Sequence, residues 1–140
     1  MGIEKDRLDF HTFLLRKLRG NPVEHLPVNK PPRGIPSLVF GVTNSHLWTG
    51  LGKKHHRIEV GFMLQGPKAE ARFQRLEEEE RKRDINTALE SPIWREHSRC
   101  SIMQKRDCDP LDRSLWNDHT DWMIFWLEKF AKTFRWELKA

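Results

Sequence analysis

The chain has 140 residues and a mass of 16.7 kDa, the size of one ordinary domain. Hydrophobic residues make 37% and charged residues 32%, and 25 Lys plus Arg against 20 Asp plus Glu leave a net charge of +5. The longest apolar run, residues 122–127, falls far short of the roughly 20 residues of a spanning helix. Two cysteines are too few for a disulfide scaffold, and six Trp with eight Phe are too many for a disordered chain. The first residues lack the apolar stretch of a secretory signal, and Asp6 breaks a myristoylation pattern. The expectation is a small, basic, cytoplasmic domain.

The charge is uneven. Residues 67–140 carry 15 basic and 15 acidic side chains, so they are neutral. Residues 16–57 carry eight basic side chains (Arg16, Lys17, Arg19, Lys30, Arg33, Lys53, Lys54, Arg57) against Glu24 alone. His25, His46, His55 and His56 add proton-dependent charge there. A one-sided basic excess is the footprint of a polyanion partner, or of a plain solvated surface.

Residues 4–19 read as a helix with Leu8, Phe10, Phe13, Leu14, Leu15 and Leu18 on its apolar side, stopped by Gly20-Asn21-Pro22. Five prolines in 21–36 argue against helix or central strand, so this stretch reads as a crossover carrying Lys30 and Arg33. A β meander follows over 37–66. Leu38, Phe40 and Val42 alternate, Asn44-Ser45 turn, and residues 46–51 form a second strand with Trp48. After the turn-forming segment 50–56, Ile58, Val60, Phe62 and Leu64 alternate cleanly as a strand with one buried face.

Gly66-Pro67 opens a predicted long helix to about Leu89, buried along Ala69, Phe73, Leu76, Ile85 and Leu89. Its run Glu77–Glu80 ahead of Arg81-Lys82-Arg83 predicts ion pairs at four-residue spacing on a solvated face. Ser91-Pro92 ends it, and residues 94–103 read as a weak strand. Asp109-Pro110 starts a last helix to about Leu138, with Asp109 as its cap. Trp116, Thr120, Met123, Leu127, Phe130, Phe134 and Leu138 form its stripe, which Trp122, Ile124, Phe125 and Trp126 widen until most sides are apolar. Such a helix is deeply buried or half of it meets a partner. The expected fold is a single α+β domain over residues 1–140. An antiparallel sheet of about four strands, in the order α-β-β-β-α-β-α, packs against helices.

Several segments taken together carry a resemblance. These are Arg57–Phe62 (RIEVGF), Phe73–Leu76 (FQRL), Asp84-Ile85, Ile93-Trp94, Cys100–Ile102 and the C-terminal run of Trp116, Trp122, Trp126-Leu127, Lys129-Phe130 and Phe134. Their order over residues 8–138 resembles the uncharacterised domain-of-unknown-function family 4268. The family tends to have Ile-Glu where this chain has Asp84-Ile85-Asn86. Members often look like partners of restriction-type nuclease domains. The resemblance therefore implies a link to DNA, or to defence against foreign DNA, and supplies no catalytic residue.

The residues themselves offer little catalysis. A restriction-type nuclease needs an acidic residue and an acid-x-Lys pair on strand ends to hold Mg²⁺. Here Glu137-Leu138-Lys139 ends a helix, and Glu59 is followed by no Lys. His97, Cys100, Cys108 and His119 lack the tight pairs that zinc prefers. No nucleophile motif, dinucleotide fingerprint or P-loop is present, so no metal, cofactor or catalytic residue is expected.

What remains is basic residues beside an aromatic. Lys30, Arg33, Trp48, Lys53, Lys54, His55, His56 and Arg57 are the candidate nucleic-acid contacts, with Trp48 read either as core or as a base-stacking indole. The expected role is a non-catalytic nucleic-acid-associated module, for DNA first, in a prokaryotic defence or mobile-element system. The alternative is an interaction or oligomerisation module, an inhibitor or adaptor, working through Trp122, Phe125 and Trp126. A membrane-surface role for the last helix is disfavoured, because Asp112, Asp118, Asp121, Glu128 and Glu137 would oppose anionic lipid.

Overall fold

Strand β4 (Arg57–Leu64) sits inside the sheet and sets its register. Ile58, Val60 and Phe62 are fully buried and Leu64 nearly so, as period-2 alternation requires of a strand with one face against helices. The structure is a computed structural model that describes residues 9–10, 12–14, 16–17, 28–29, 37–42, 44–52, 56–96 and 99–139. At 28–29, 37–42, 51–52 and 139 the description is of the backbone alone.

The sheet is antiparallel throughout, in the order β1-β2-β3-β4-β6-β5. Its four long strands are β2 (Ser37–Val42), β3 (Ser45–Gly52), β4 and β6 (Ser101–Asp107). Two-residue strands close the edges: β1 (Val28–Asn29) beside β2, and β5 (Ile93–Trp94) beside β6. The proline-rich stretch thus donates an edge strand, a sheet position compatible with proline.

The fold is α+β, as expected, with local corrections. The helix expected over 67–89 is two helices, α2 (Ala69–Leu76) and α3 (Glu79–Ala88). The reason is geometric. At about 100° per residue, a straight helix would set Ile85 and Leu89 roughly opposite Ala69, Phe73 and Leu76. Extended backbone at Glu78 (ψ 141°) breaks the helix and lets all five face the core. The break reassigns charges as well. Of the predicted ladder only the Glu79–Arg83 contact is present, at 3.6 Å, while Arg81 reaches Glu137 at 2.8 Å.

The single strand expected at 94–103 is the pair β5 and β6. Between them Arg95 takes a left-handed φ of 54°, unusual for a residue with a side chain. It is held there by bonds to Glu70 (2.9 Å) and Glu77 (2.7 Å), with its guanidinium over the Phe73 ring. Both carboxyls are held below their usual range, first by their hydrogen bonds from Arg95.

The last helix begins at α4 (Trp116–Thr133), and α5 (Arg135–Lys139) follows. Asp112, not Asp109, is the cap: it accepts from the Ser114 N–H at 3.0 Å and starts a 3-10 turn over Arg113–Leu115. The described residues between 9 and 17 are helical and form α1, whose Phe10 and Leu14 are fully buried. One core joins sheet and helices. At its centre Phe62 of β4 stacks on Phe134 at 4.0 Å, and Phe10 meets the Trp116 ring edge at 5.3 Å.

Phe134→Ala should therefore cost about 3–5 kcal/mol in urea unfolding. Phe125→Ala, on the exposed side of α4, should stay within about 1 kcal/mol. Equal losses would contradict the core described here.

Candidate functional site

The registers bring the strand ends that flank the sequence-predicted basic segments to one end of the sheet. Strand β3 ends there at Gly52, which pairs with Arg57, so residues 53–56 connect the two strands at that end. Ser37 pairs with Gly50, so β2 begins at the same end. Asn29 pairs with Val39 in an antiparallel register, so the chain leaves β1 toward this end too. Lys53, Lys54, His55, Lys30 and Arg33 themselves lie outside the described residues. Strand β6 finishes here as well, with Asp107 opposite Arg57 and Arg106 opposite Ile58.

The described candidates are engaged in specific contacts. His56 is exposed, with φ 48°, and its carbonyl accepts the Cys108 N–H at 2.8 Å. Arg57 is tied down: Nε donates to Glu59 at 3.1 Å and Nη2 to Glu96 at 3.1 Å, leaving its side chain 12% exposed. Its charge is spent within the fold. Trp48 is half-buried on the sheet face away from the helices, and its indole N–H donates to Glu59 at 3.3 Å. The far edge of its ring covers Gly61, its cross-strand partner. A Cβ at Gly61 would come within 2.1 Å of that ring, and one at Gly50 within 2.6 Å of Glu59. The two glycines let Trp48 and Glu59 lie down on the sheet. Trp48 is thus neither core nor a free indole but an anchored one.

Sequence reasoning missed this Trp48–Glu59–Arg57–Glu96 chain. Half of it was legible, because residues 57 and 59 share a strand face by period 2. Glu96 arrives from beyond β5, and no spacing foretells it.

The aromatic surface divides. Trp126 is buried (8% exposed), Trp122 is half-buried and Phe125 is 49% exposed. Phe125 and Trp126 meet edge to face at 5.3 Å, and Lys129 covers both rings. On α5, Trp136 is 64% exposed with Arg135 over its ring. The widened apolar stripe therefore resolves into a packed half and an exposed aromatic edge dressed with cations.

Other chemistry is sparse among the described residues. No cluster of three His, Cys, Asp or Glu side chains is placed to hold a metal, and no helix is long and apolar enough to cross a membrane. His97 lies outside them. Cys100 donates to Glu70 at 3.3 Å. Burial pushes both the Cys100 and Cys108 thiols above their ordinary value, away from reactive thiolate. A depression along α3 holds Lys82, Arg83 and Asn86, but each is occupied: Lys82 by Trp94, Arg83 by Glu79, and Asn86 by the Trp94 indole N–H. No protein-family model, curated protein or solved structure matches the chain.

Gly61→Ala should displace the indole of Trp48 and break its bond to Glu59. The Trp48 indole N–H resonance should shift in a ¹H–¹⁵N spectrum while the other described indoles, Trp94 and Trp116 among them, stay put. An unmoved Trp48 resonance would contradict the close packing at Gly61.

Proposed function

We propose that the chain is a non-catalytic nucleic-acid-associated module that grips phosphates at the β3–β4 end of its sheet. One observation carries the reading. The described strand ends that flank segments 30–36 and 53–55, far apart in sequence, lie at the same end of the sheet, and the sequence of those segments with His56 holds Lys30, Arg33, Lys53, Lys54, His55 and His56. Convergent Lys and Arg suit a phosphate backbone, where counterion release supplies the affinity. Arg57 supports this end as a strut, since its charge is committed to Glu59 and Glu96. Trp48 lies four residues from the end of β3, fixed in orientation on the neighbouring face. A fixed indole stacks on a base at low entropic cost.

The resemblance to family 4268 supports DNA as the polymer, and a prokaryotic defence or mobile-element system as the setting. A cytoplasmic location accords with such a role.

One observation favours a second reading, an adaptor or oligomerisation module. Phe125 and Trp136 are large, exposed and flanked by cations on the C-terminal helices. Aromatics of this kind anchor protein interfaces. Light scattering separates the readings: a stable dimer indifferent to DNA favours the second.

For the first, affinity for a short DNA should fall steeply between about 50 and 200 mM salt. Lys53→Ala with Lys54→Ala should lower the slope of log K against log salt by about 2. No binding of duplex or single-stranded DNA at about 50 mM salt would overturn it.

A further inference from the structure

We propose that His119 is an acid-sensitive latch: in its neutral form it keeps the β6–α4 connection, residues 108–115, closed against the sheet, and its protonation releases that connection. His119 lies in the first turn of α4 and is 2% exposed. Among the described residues, neither Nδ1 nor Nε2 has a hydrogen-bond partner. A neutral imidazole in that position leaves one N–H and one lone pair unmet. An imidazolium leaves two donors and a charge unmet, which is costlier still.

The surroundings do not offset that cost. Arg106, from β6, opposes a positive charge. Asp109 and Asp112, from the connection, and Asp118, from α4 itself, favour one. The connection's carboxylates are already committed. Asp112 accepts from the Ser114 N–H (3.0 Å) and Oγ (2.6 Å), and Asp109 accepts from the Leu111 N–H (3.1 Å). The backbone of Asp109 lies near enough to favour the charge without closing a hydrogen bond. Burial outweighs these influences and lowers the His119 pKa below its ordinary 6.5.

The sign follows from linkage. The folded state binds the proton more weakly than the opened one, so closure is fully stable above about pH 6.5 and weakens as pH falls below it. Packing and polar ties hold the connection: Cys108 and Leu111 lie against the core, and Arg113 donates to Asp9 at 2.9 Å. The Cys108 N–H bonds the His56 carbonyl at 2.8 Å, and the Trp116 indole N–H bonds the Pro110 carbonyl at 3.2 Å. Opening would cut the tie between this connection and the 53–56 segment. The inference does not depend on nucleic acid.

The test is hydrogen exchange with mass spectrometry from pH 7.5 to 5, rescaled for intrinsic exchange, beside an NMR titration of His119 in the full chain. Exchange in peptides covering 108–120 should accelerate by up to about tenfold per pH unit below pH 6.5, before peptides of β3 and β4 respond. His119 should titrate below 6.5. His119→Phe, apolar and of similar shape, should stay protected at pH 5, although His46, itself buried, remains. Titration at 6.5 or above, or protection that ignores pH, overturns the latch. So does a folded His119→Phe chain that opens like the parent. If that variant does not fold, the parent's titration and exchange decide alone.

Discussion

Everything in this fold leans on strand β4. Its backbone pairs with β3 on one side and β6 on the other, so no edge of it is open. Its even-numbered side chains meet the helices, and its odd-numbered ones hold the opposite face. Phe62 stacks on Phe134, which brings the end of α4 and the start of α5 onto the sheet. Arg57 and Glu59 begin the polar chain that fixes Trp48. One strand thereby sets both the core and the orientation of the only tryptophan in β3. A shift of its register by one residue would invert both faces at once.

The antiparallel registers also decide which distant segments become neighbours. A hairpin returns its chain to where it began, so connections after β1 and β3 emerge at the same sheet end. Which strand ends meet there is decided by topology, not by local spacing. Elsewhere several charges are paired within the fold. Arg95 binds Glu70 and Glu77, Arg81 binds Glu137, and Lys17 binds Asp121. Such pairs are worth little individually where exposed.

The α+β class and strands β2, β3 and β4 were legible because their signals are local, whereas β6 was anticipated only over 101–103, as the end of a strand expected at 94–103. The alternation in 58–64 and the three-to-four spacing from Trp116 to Leu138 each report one buried face. The stripe even survives the break at Phe134, since Phe130, Phe134 and Leu138 stay buried across it. The break at Glu77–Glu78 was also present in the phases: the apolar positions before and after it point opposite ways in a straight helix. The Asp109-Pro110 signal is a genuine turn signal placed one turn early, because Asp109 closes on Leu111 and Asp112 does the capping. The edge strands Val28–Asn29 and Ile93–Trp94 were not legible, since two residues carry no periodicity. For the site, the sequence named the basic segments and Trp48. It could not foresee that Arg57 would be spent on Glu59 and Glu96, or that His119 would be buried with both nitrogens unmet among the described residues. Those are facts of tertiary neighbours.

Two surfaces bear on the proposed function: the end of the sheet between β2 and β4, and the exposed aromatics Phe125 and Trp136 on the C-terminal helices. The proposed nucleic-acid role uses the first. The most direct measurement is a ¹H–¹⁵N titration of the whole chain with a short DNA at low salt. Amide shifts should concentrate at Gly50–Arg57, Lys105–Asp107 and the start of β2, with the Trp48 indole among them. Shifts confined to residues 122–136 of the C-terminal helices, with the β3–β4 end unmoved, would contradict that role.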